Sequence, residues 1–425
     1  MASDELIPMP FTEAVTVNPS VCLVKGKTYP FVEMAAVDPG ARSVRESERR
    51  AFDGGGARFA PGDTLMARIT PCLENGKIAR FRPTDQTSIG FGSTEFIVIR
   101  GKAGVTTDDY AYYLTKWDEF RQFAIGQMTG SSGRQRVPAD SLAGFNAMVP
   151  SLPVQQRITR VLGKLDDKIE LNRRMNRTLE KMAAAIFKSW FIDFDPVHAK
   201  AEGRDSGLPA EIADLFPDAL EDSDLGPIPK GWTCSTIGDE FNLTMGQSPP
   251  GETYNESREG APFFQGRRDF GFRYPANRVY CTAPTRYAAK GDTLMSVRAP
   301  VGDVNMAIDR CSIGRGVAAA RHKSTSISYT YYAFRSLRDR FEVYNGEGTV
   351  FGSISQKDLR AMPWLAPDDV VVSRFDQMVG PIDQRIEINE VQNRRLSGLR
   401  DTLLPKLLSG EIELPASEAV AEGVK

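Results

Sequence analysis

Two segments of the chain repeat apolar residues with the 4-3 spacing of a coiled-coil helix. The first, residues 151–194, has the seam Ile158, Leu162, Leu165, Ile169, Asn172, Asn176, Leu179, Ala183, Ile186 and Trp190. The second, residues 368–412, has the seam Phe375, Val379, Ile382, Ile386, Asn389, Asn393, Leu396, Arg400, Leu403 and Leu407. A 3.5-residue repeat over several heptads predicts two long helices that pack through these faces. Pro381 is expected to begin the regular part of the second helix or to kink it.

Asparagines interrupt both seams at matching positions. A polar residue in a seam costs stability but fixes the register, because a slipped alignment would bury it without a partner. In one helix alone, a solvated gap would explain them equally well. Their matched placement favours the register interpretation. The two helices are expected to pack on each other, antiparallel if the two copies are related by a pseudo-twofold axis. The predicted helix-interface residues are Asn172, Asn176, Asn389, Asn393, Leu165, Ile169, Ile382 and Ile386.

The helices belong to a larger internal repeat. LDDKIELNRRMNRTL (165–179) aligns with IDQRIEINEVQNRRL (382–396) at an offset of 217 residues. YAYYLTKWDEFRQF (110–123) aligns with YTYYAFRSLRDRFEVY (329–344) at an offset of 219, and GDTLM occurs at 62 and at 291. The order of the blocks is the same in both halves, so the chain is two copies of a unit of about two hundred residues.

The part of each copy outside the long helix has a sequence pattern typical of a small α+β domain. Short β-prone runs such as TEFIVIR (94–100) and GVAAAR (316–321) alternate with turn signals such as DGGG (53–56). One helix is expected near residues 112–124, and the TLM of each GDTLM is expected to be a buried strand. The predicted organisation is a first globular domain (1–150), a long helix (151–194), an acidic linker (195–224), a second globular domain (225–367), a second long helix (368–412) and a flexible tail (413–425).

Composition limits the class of protein. The chain has 425 residues, is 41% hydrophobic and has a net charge of −2, with no apolar run long enough to span a membrane and no visible secretory signal. Five cysteines without a CxxC pair favour a reducing cytoplasm, and two histidines make an imidazole-based metal site improbable.

Charge is segregated along the chain. Residues 258–323 carry twelve Lys/Arg against five Asp/Glu, and residues 41–82 carry nine against five. Residues 193–224 carry two against ten. Basic faces can therefore exist on a nearly neutral chain, although solvated arginine-rich surfaces are the alternative.

Glycine-rich and arginine-rich loops supply candidate DNA contacts. MTGSSGRQRVP (128–138) places small residues ahead of basic and amide side chains, EGTVFGSISQKDL (347–359) follows at the same place in the second copy, and FFQGRRDFGFRYP (263–275) interleaves basic with aromatic residues. Arginine suits phosphate or the O6/N7 edge of guanine, and glutamine suits adenine. Ordinary polar turns remain the alternative. The candidates are Arg68, Lys77, Arg134, Gln135, Arg136, Gln247, Gln265, Arg267, Arg268, Arg273, Arg298, Ser353, Gln356 and Lys357.

Motifs of catalysis are missing. VKGKT (24–28) lacks the first glycine of a phosphate-binding loop, and no GxGxxG follows a predicted strand. SPPG (248–251) resembles the motif of base-amino methyltransferases, but Gly251 stands where a stacking ring is required. Asp166 and Asp167 are adjacent on a helix and point to different faces. We therefore predict a non-enzyme that binds no metal.

Several stretches together carry a family resemblance: DLGPIPKGW (224–232), MGQSPPGETYN (245–255), FFQGRRDFG (263–271), GDTLMARITPCLENGK (62–77), TGSSGRQRV (129–137), IFKSWFIDFDP (186–196) and LLPKLLSGEI (403–412). With the LPVQQRI…LDDKIELN helix, they make the chain resemble, nearly end to end, the specificity subunit of type I restriction-modification systems. Nothing like DLGPIPKGW precedes the first globular domain.

The resemblance implies a fold and a set of partners. It implies two target-recognition domains, each reading one half of a bipartite double-stranded DNA site, and two antiparallel helices that set the spacing. It also implies two docked DNA methyltransferase (modification) subunits, which bring S-adenosylmethionine, and restriction subunits that use ATP and Mg. No cofactor is expected on this chain itself. The alternative is a coiled-coil scaffold with two protein-binding heads and no DNA.

Overall fold

The computed structural model describes residues 6–131, 133–298, 300–345 and 352–415. Its contacts divide the chain into two units. Unit 1 comprises residues 1–171 with 392–425, and unit 2 comprises residues 172–391. The division falls inside the two long helices, whereas the predicted domain boundaries fall at their ends. Residues 416–425 of the predicted flexible tail, and residues 347–351 of the EGTVFGSISQKDL loop, lie outside the described residues.

Unit 1 contains two main sheets and the helices that cover them. Its strands are β1 (Ile7–Pro10), β2 (Val15–Val17), β3 (Thr28–Val32), β4 (Ser43–Val44), β5 (Glu48–Ala51), β6 (Ala57–Phe59), β7 (Thr64–Ala67), β8 (Ile78–Phe81), β9 (Gly90–Gly92), β10 (Phe96–Gly101) and β11 (Asn146–Val149). Its helices are α1 (Phe11–Ala14), α2 (Asp108–Lys116), α3 (Asp118–Gly126), the start of α4 (Leu152–Phe191) and the end of α11 (Asp369–Leu408). The sheet orders are β2-β10-β7-β8-β4, β5-β3-β9-β6 and β1-β11.

Unit 2 repeats this plan. Its strands are β12 (Leu220–Ser223), β13 (Gly226–Pro229), β14 (Thr233–Thr236), β15 (Phe241–Met245), β16 (Tyr254–Asn255), β17 (Ala261–Phe264), β18 (Tyr280–Cys281), β19 (Tyr287–Ala288), β20 (Thr293–Ser296), β21 (Val304–Met306), β22 (Cys311–Ile313), β23 (Val317–His322) and β24 (Pro363–Ala366). Its helices are the end of α4, α5 (Asp195–Ala201), α6 (Ala210–Ala213), α7 (Ile237–Glu240), α8 (Ile327–Ser336), α9 (Arg338–Phe341), α10 (Gln356–Ala361) and the first part of α11.

The two units share strand pairing as well as element order. The orders β15-β23-β20-β21 and β16-β18-β17-β22-β19 in unit 2 correspond to the two main sheets of unit 1. In each second sheet one pair is parallel, β3 with β9 and β17 with β22. The duplicated TLM lies in β7 and β20, and all four residues of each strand are buried. The repeated segment is therefore a core strand, as expected from its sequence.

The predicted helix near residues 112–124 is two helices. Helix α2 ends at Lys116 and α3 begins at Asp118, because Trp117 adopts an extended backbone conformation between them. Trp117 is buried and packs edge-on against Phe145. Burying this large ring decides the break, which helical periodicity alone does not reveal.

The segment predicted as an acidic linker is an ordered part of unit 2. It forms α5, α6 and β12, and β12 pairs with β13 at the start of the second globular region. Val197, Ile212 and Phe216 are buried in the core of the unit. Its acidic residues lie between these apolar anchors, so high charge did not prevent packing.

The long helices run antiparallel in each unit. In unit 2, Phe187 of α4 packs edge-on against Phe375 of α11, and further along Asn176 meets Asn389. In unit 1, Leu162 of α4 and Leu404 of α11 belong to one buried cluster. Helix α11 continues unbroken through the exposed Pro381, so the prediction that the helix begins there is wrong. Buried seam residues on both sides hold the helix although proline removes one backbone donor.

The seam asparagines are buried, as predicted from their spacing. Asn172, Asn176, Asn389 and Asn393 are all buried, as are Ile169 and Ile386, whereas Leu165 and Ile382 are half-buried. Asn389 Nδ2 donates to Asn176 Oδ1 at 2.8 Å, and Asn176 Nδ2 donates to Glu390 Oε1 at 2.7 Å. This cross-helix pair fixes the register within unit 2.

A buried carboxylate joins the helices to the globular part of each unit. In unit 1, Asp166 accepts from Tyr113 Oη at 2.8 Å and from Arg400 Nη1 at 2.7 Å. In unit 2, Asp383 accepts from Tyr332 Oη at 3.0 Å and from Arg273 Nη1 at 2.9 Å. The tyrosines and aspartates are equivalent in the repeat, while the arginine comes from a different element in each unit.

The asparagine pair predicts non-additive stability. Asn176→Leu should lower the free energy of unfolding by about 1–3 kcal/mol, because it leaves the buried Asn389 amide without its acceptor. Asn176→Leu with Asn389→Leu should recover most of that loss, since both partners are removed. Urea denaturation followed by circular dichroism measures this cycle. Additive losses in the double variant would contradict the pairing.

Candidate nucleic-acid interface

In unit 1, one loop is held against the end of a core strand. The chain leaves β7 at Arg68, whose carbonyl accepts from Val137 N at 2.8 Å. Thr70 and Gln135 exchange two further bonds: Thr70 N donates to the Gln135 carbonyl at 3.0 Å, and Gln135 N donates to Thr70 Oγ1 at 3.1 Å. Thr129 and Arg136 close the loop by reciprocal backbone bonds. Residues about 65 apart in sequence thus form one rigid edge.

The side chains of this edge differ in exposure. Arg134 is exposed at the loop tip, Gln135 is half-buried, and Arg136 forms an ion pair with Glu95 at 2.7 Å. The hydrogen bond to Glu95 raises the pKa of Arg136, so its guanidinium stays charged. Arg68 is half-buried, and its Nε is buried with no partner among the described residues. Lys77 is less available, because its Nζ donates to the Met34 carbonyl at 2.8 Å.

Unit 2 builds the same edge from different side chains. Arg298 follows β20 and forms a backbone bridge with Ser353, and Ile354 N donates to the Val297 carbonyl at 3.1 Å. Gln356 and Lys357 occupy the first turn of α10. Arg298, Ser353, Gln356 and Lys357 are all exposed. The structure therefore brings these four predicted residues to one surface.

A second exposed group lies beside β17 and β22. Gln265 Nε2 donates to Ser248 Oγ at 2.7 Å, and Gln247 is exposed one residue away. Arg315, which sequence analysis missed, donates from its backbone N and its Nε to the same hydroxyl at 3.3 Å. Its position between two glycines in GRG was the available signal, since small neighbours expose an arginine.

The arginines after β17 line a cavity. Arg267 and Arg268 are exposed, and Arg267 forms an ion pair with Asp303. The cavity has a volume of about 580 Å³, and Arg335 and Arg338, also missed from the sequence, contribute to its wall. Arg267 and Arg335 are paired there with the lining carboxylates Asp303 and Glu180. Arg268 and Arg338 add further positive charge to the wall, which favours an anionic ligand such as a phosphate backbone.

Comparisons with known proteins place the chain among restriction-modification proteins. The family described as "Type I restriction modification DNA specificity domain" matches residues 52–181. A putative type I restriction enzyme MjaX specificity subunit from Methanocaldococcus jannaschii is 26% identical over 363 residues, covering 84% of this chain and 80% of the relative. The type I restriction enzyme HindI specificity subunit of Haemophilus influenzae is 25% identical, covering 83% and 86%.

The chain is similar to type I specificity subunits along most of its length.

A solved structure agrees on the fold. The S subunit of a type I restriction-modification system from M. genitalium is 15% identical, covers 96% of this chain and 97% of its own, and has a TM-score of 0.51. Type I specificity subunits are the non-catalytic, DNA-recognising components of these systems. The family match and the two relatives therefore confirm the predicted resemblance, DNA-recognition role and non-enzyme status. No helix of the described residues is long and apolar enough to cross a membrane.

One predicted DNA contact is wrong. Arg273 is 0% exposed and cannot reach a ligand. Its guanidinium pairs with Asp383 and, at 3.3 Å, with Glu180 Oε1, and it donates to Tyr332 Oη at 2.8 Å. The Tyr331 ring of α8 lies over the guanidinium, with its centroid 3.8 Å from the guanidinium carbon.

Arg273 should therefore control stability. Arg273→Ala should lower the free energy of unfolding by about 3–5 kcal/mol, because it leaves buried carboxylates without their counter-ion. Arg268→Ala, five residues earlier and exposed, should change it by less than about 0.5 kcal/mol. Chemical denaturation compares the two variants. Equal free energies of unfolding for the two variants would contradict the buried position of Arg273.

Proposed function

We propose that each unit reads one half of a bipartite double-stranded DNA site. The observation that carries this proposal is the duplicated edge, in which a loop is fixed by backbone bonds to the chain leaving the repeated core strand. Backbone bonds hold the same geometry in both units while the side chains differ. Phosphate contacts would position each edge, and its arginine and glutamine side chains would contact bases. Different side chains predict two different half-sites.

The helices supply the proposed spacing function. Helices α4 and α11 have 40 residues each and antiparallel contacts within each unit. We propose that they set the distance between half-sites and dock two DNA methyltransferase subunits. The proposed domains are target recognition in 1–150 and 225–367, connected by 151–194 and 368–412. S-adenosylmethionine, and ATP with Mg for restriction, would be bound by partner subunits.

A scaffold with two protein-binding heads is the less favoured alternative. The exposed side chains of both edges are mostly arginine, lysine and glutamine. Interface cores between proteins are instead depleted in charge and rich in buried aromatic anchors. Similarity to type I specificity subunits also favours DNA recognition.

Salt dependence separates these functions. Binding of the complex with its methyltransferase subunits to its cognate DNA should weaken linearly on a log–log plot against salt, with a slope of about −0.9 per neutralised phosphate. Gel-shift titration over a range of salt measures the slope. An affinity independent of salt would contradict DNA recognition.

Individual arginines test the edges. Arg134→Ala and Arg267→Ala should each weaken cognate binding by about 1–3 kcal/mol if they contact base edges. Glu202→Gln, which removes an exposed ion pair with Arg204, serves as the control. Cognate affinity unchanged by both arginine substitutions would make them ordinary surface residues.

Methylation patterns test the division into half-sites. Methylome sequencing of a host that carries this gene with its methyltransferase partner should give a methylated motif of two different short sequences separated by a fixed gap. A continuous motif would contradict the assignment of one half-site to each unit.

A further inference from the structure

The two edges are equivalent residue by residue, but the arginine of each lies on the opposite side of the backbone bridge. Unit 1 pairs Ile69 with Arg136, and unit 2 pairs Arg298 with Ser353. The repeat offsets of 229 and 217 make Ile69 equivalent to Arg298 and Arg136 equivalent to Ser353. The bridging arginine therefore lies on one of the two paired segments in unit 1 and on the other segment in unit 2.

The neighbouring strand decides how each arginine is held. Arg68 N donates to the Glu95 carbonyl at 2.9 Å, and the equivalent bond in unit 2 runs from Val297 N to the Gly316 carbonyl, also at 2.9 Å. Glu95 and Gly316 therefore occupy the same position. A Cβ at Gly316 would lie 2.5 Å from the carbonyl oxygen of Gln265, so unit 2 has no room for a carboxylate there.

Glu95 holds the Arg136 guanidinium along one edge. Arg136 Nε donates to the two Glu95 carboxylate oxygens at 3.0 and 2.9 Å, and Nη2 donates to Oε1 at 2.7 Å. Arg136 Nη1 donates to the Arg134 carbonyl at 3.2 Å. A bidentate carboxylate fixes the plane of a guanidinium, because two parallel bonds remove its rotation. The Arg136 side chain is nevertheless 43% exposed, so its outer edge faces solvent.

The number of unused N–H groups on Arg136 indicates what its guanidinium can bind. A guanidinium has five N–H groups. The Nε group and one group on each η nitrogen are used, and the part of the chain that the structure describes supplies no acceptor for the other two. One donor therefore remains on Nη1 and one on Nη2. The O6 and N7 acceptors of guanine in the major groove accept such a pair.

We propose that Arg136 reads a guanine in the half-site of unit 1 and that Glu95 is its positioning residue. This inference rests on the proposed function of the edge. The Glu95–Arg136 pair has no net charge, so it adds base discrimination and little attraction to phosphate. Unit 2 lacks the carboxylate, so its Arg298 has no equivalent clamp, and this guanine contact is specific to one half-site.

Modified guanines test the assignment. The probe is the cognate duplex bound by the complex with its methyltransferase subunits, with each guanine replaced in turn by 7-deazaguanine, which lacks the N7 acceptor. One guanine should show binding weakened by about fivefold or more in the native complex, because it loses one bond of a bidentate pair. At that position the loss should disappear in Arg136→Met, which keeps the length of the side chain but has no hydrogen-bond donor. In Glu95→Gln it should shrink to about twofold or less.

Controls separate positioning from structural damage. Glu202→Gln should keep the native 7-deazaguanine pattern, and Arg136→Lys should keep the native salt slope because no net charge changes. A native complex without a sensitive guanine, or Arg136→Met or Glu95→Gln complexes that keep the native pattern, would overturn the inference while leaving DNA recognition intact. Salt-independent binding by the native complex would instead contradict the proposed function itself.

Discussion

The fold depends on a buried carboxylate in each unit that ties the long helices to the globular region. Asp166 and Asp383 occupy equivalent helix positions, and each accepts a hydrogen bond from the equivalent tyrosine, Tyr113 or Tyr332. Burial raises the pKa of both tyrosines, so they remain protonated donors. A buried carboxylate is costly unless charge and hydrogen bonds compensate it, and the tyrosine and arginine together do so. Movement of the helices relative to the globular region would break these bonds and leave a buried carboxylate without compensation.

The cation of this network is where the copies differ. In unit 1 it is Arg400 of α11 itself. Burial alone would lower the pKa of Arg400, but Asp166 raises it above its usual value. In unit 2 the cation is Arg273, which comes from the loop after β17 and also pairs with Glu180. The buried carboxylate thus obtains its cation from a long helix in unit 1 and from a loop in unit 2. In unit 2 the ion pair also holds that loop, which lies next to the arginine-lined cavity. Divergence after duplication has therefore kept the anchor while changing which segment it orders.

At the candidate interface too, the backbone hydrogen bonds are the same in both units while the side chains differ. Backbone bonds from Arg68 and Val297 define one geometry in both units. Glu95 of unit 1 supplies a carboxylate beside these bonds. At the equivalent Gly316 of unit 2, the nearby Gln265 carbonyl leaves no room for a side chain. Half-site preference can change through such steric choices without rebuilding the sheets.

The sequence by itself determined the duplication, the two long helices, the buried asparagines, the core strands and the exposed positions of Arg134, Arg267, Arg268, Arg298 and Lys357, because these depend on periodicity and on local composition. Tertiary structure decided the rest. Arg273 stands in an arginine- and aromatic-rich loop like its neighbours, and only packing makes it a buried counter-ion. The same holds for the break at Trp117, the ordered acidic segment and the Glu95–Arg136 clamp. Each depends on contacts between residues distant in sequence, which a local pattern does not encode.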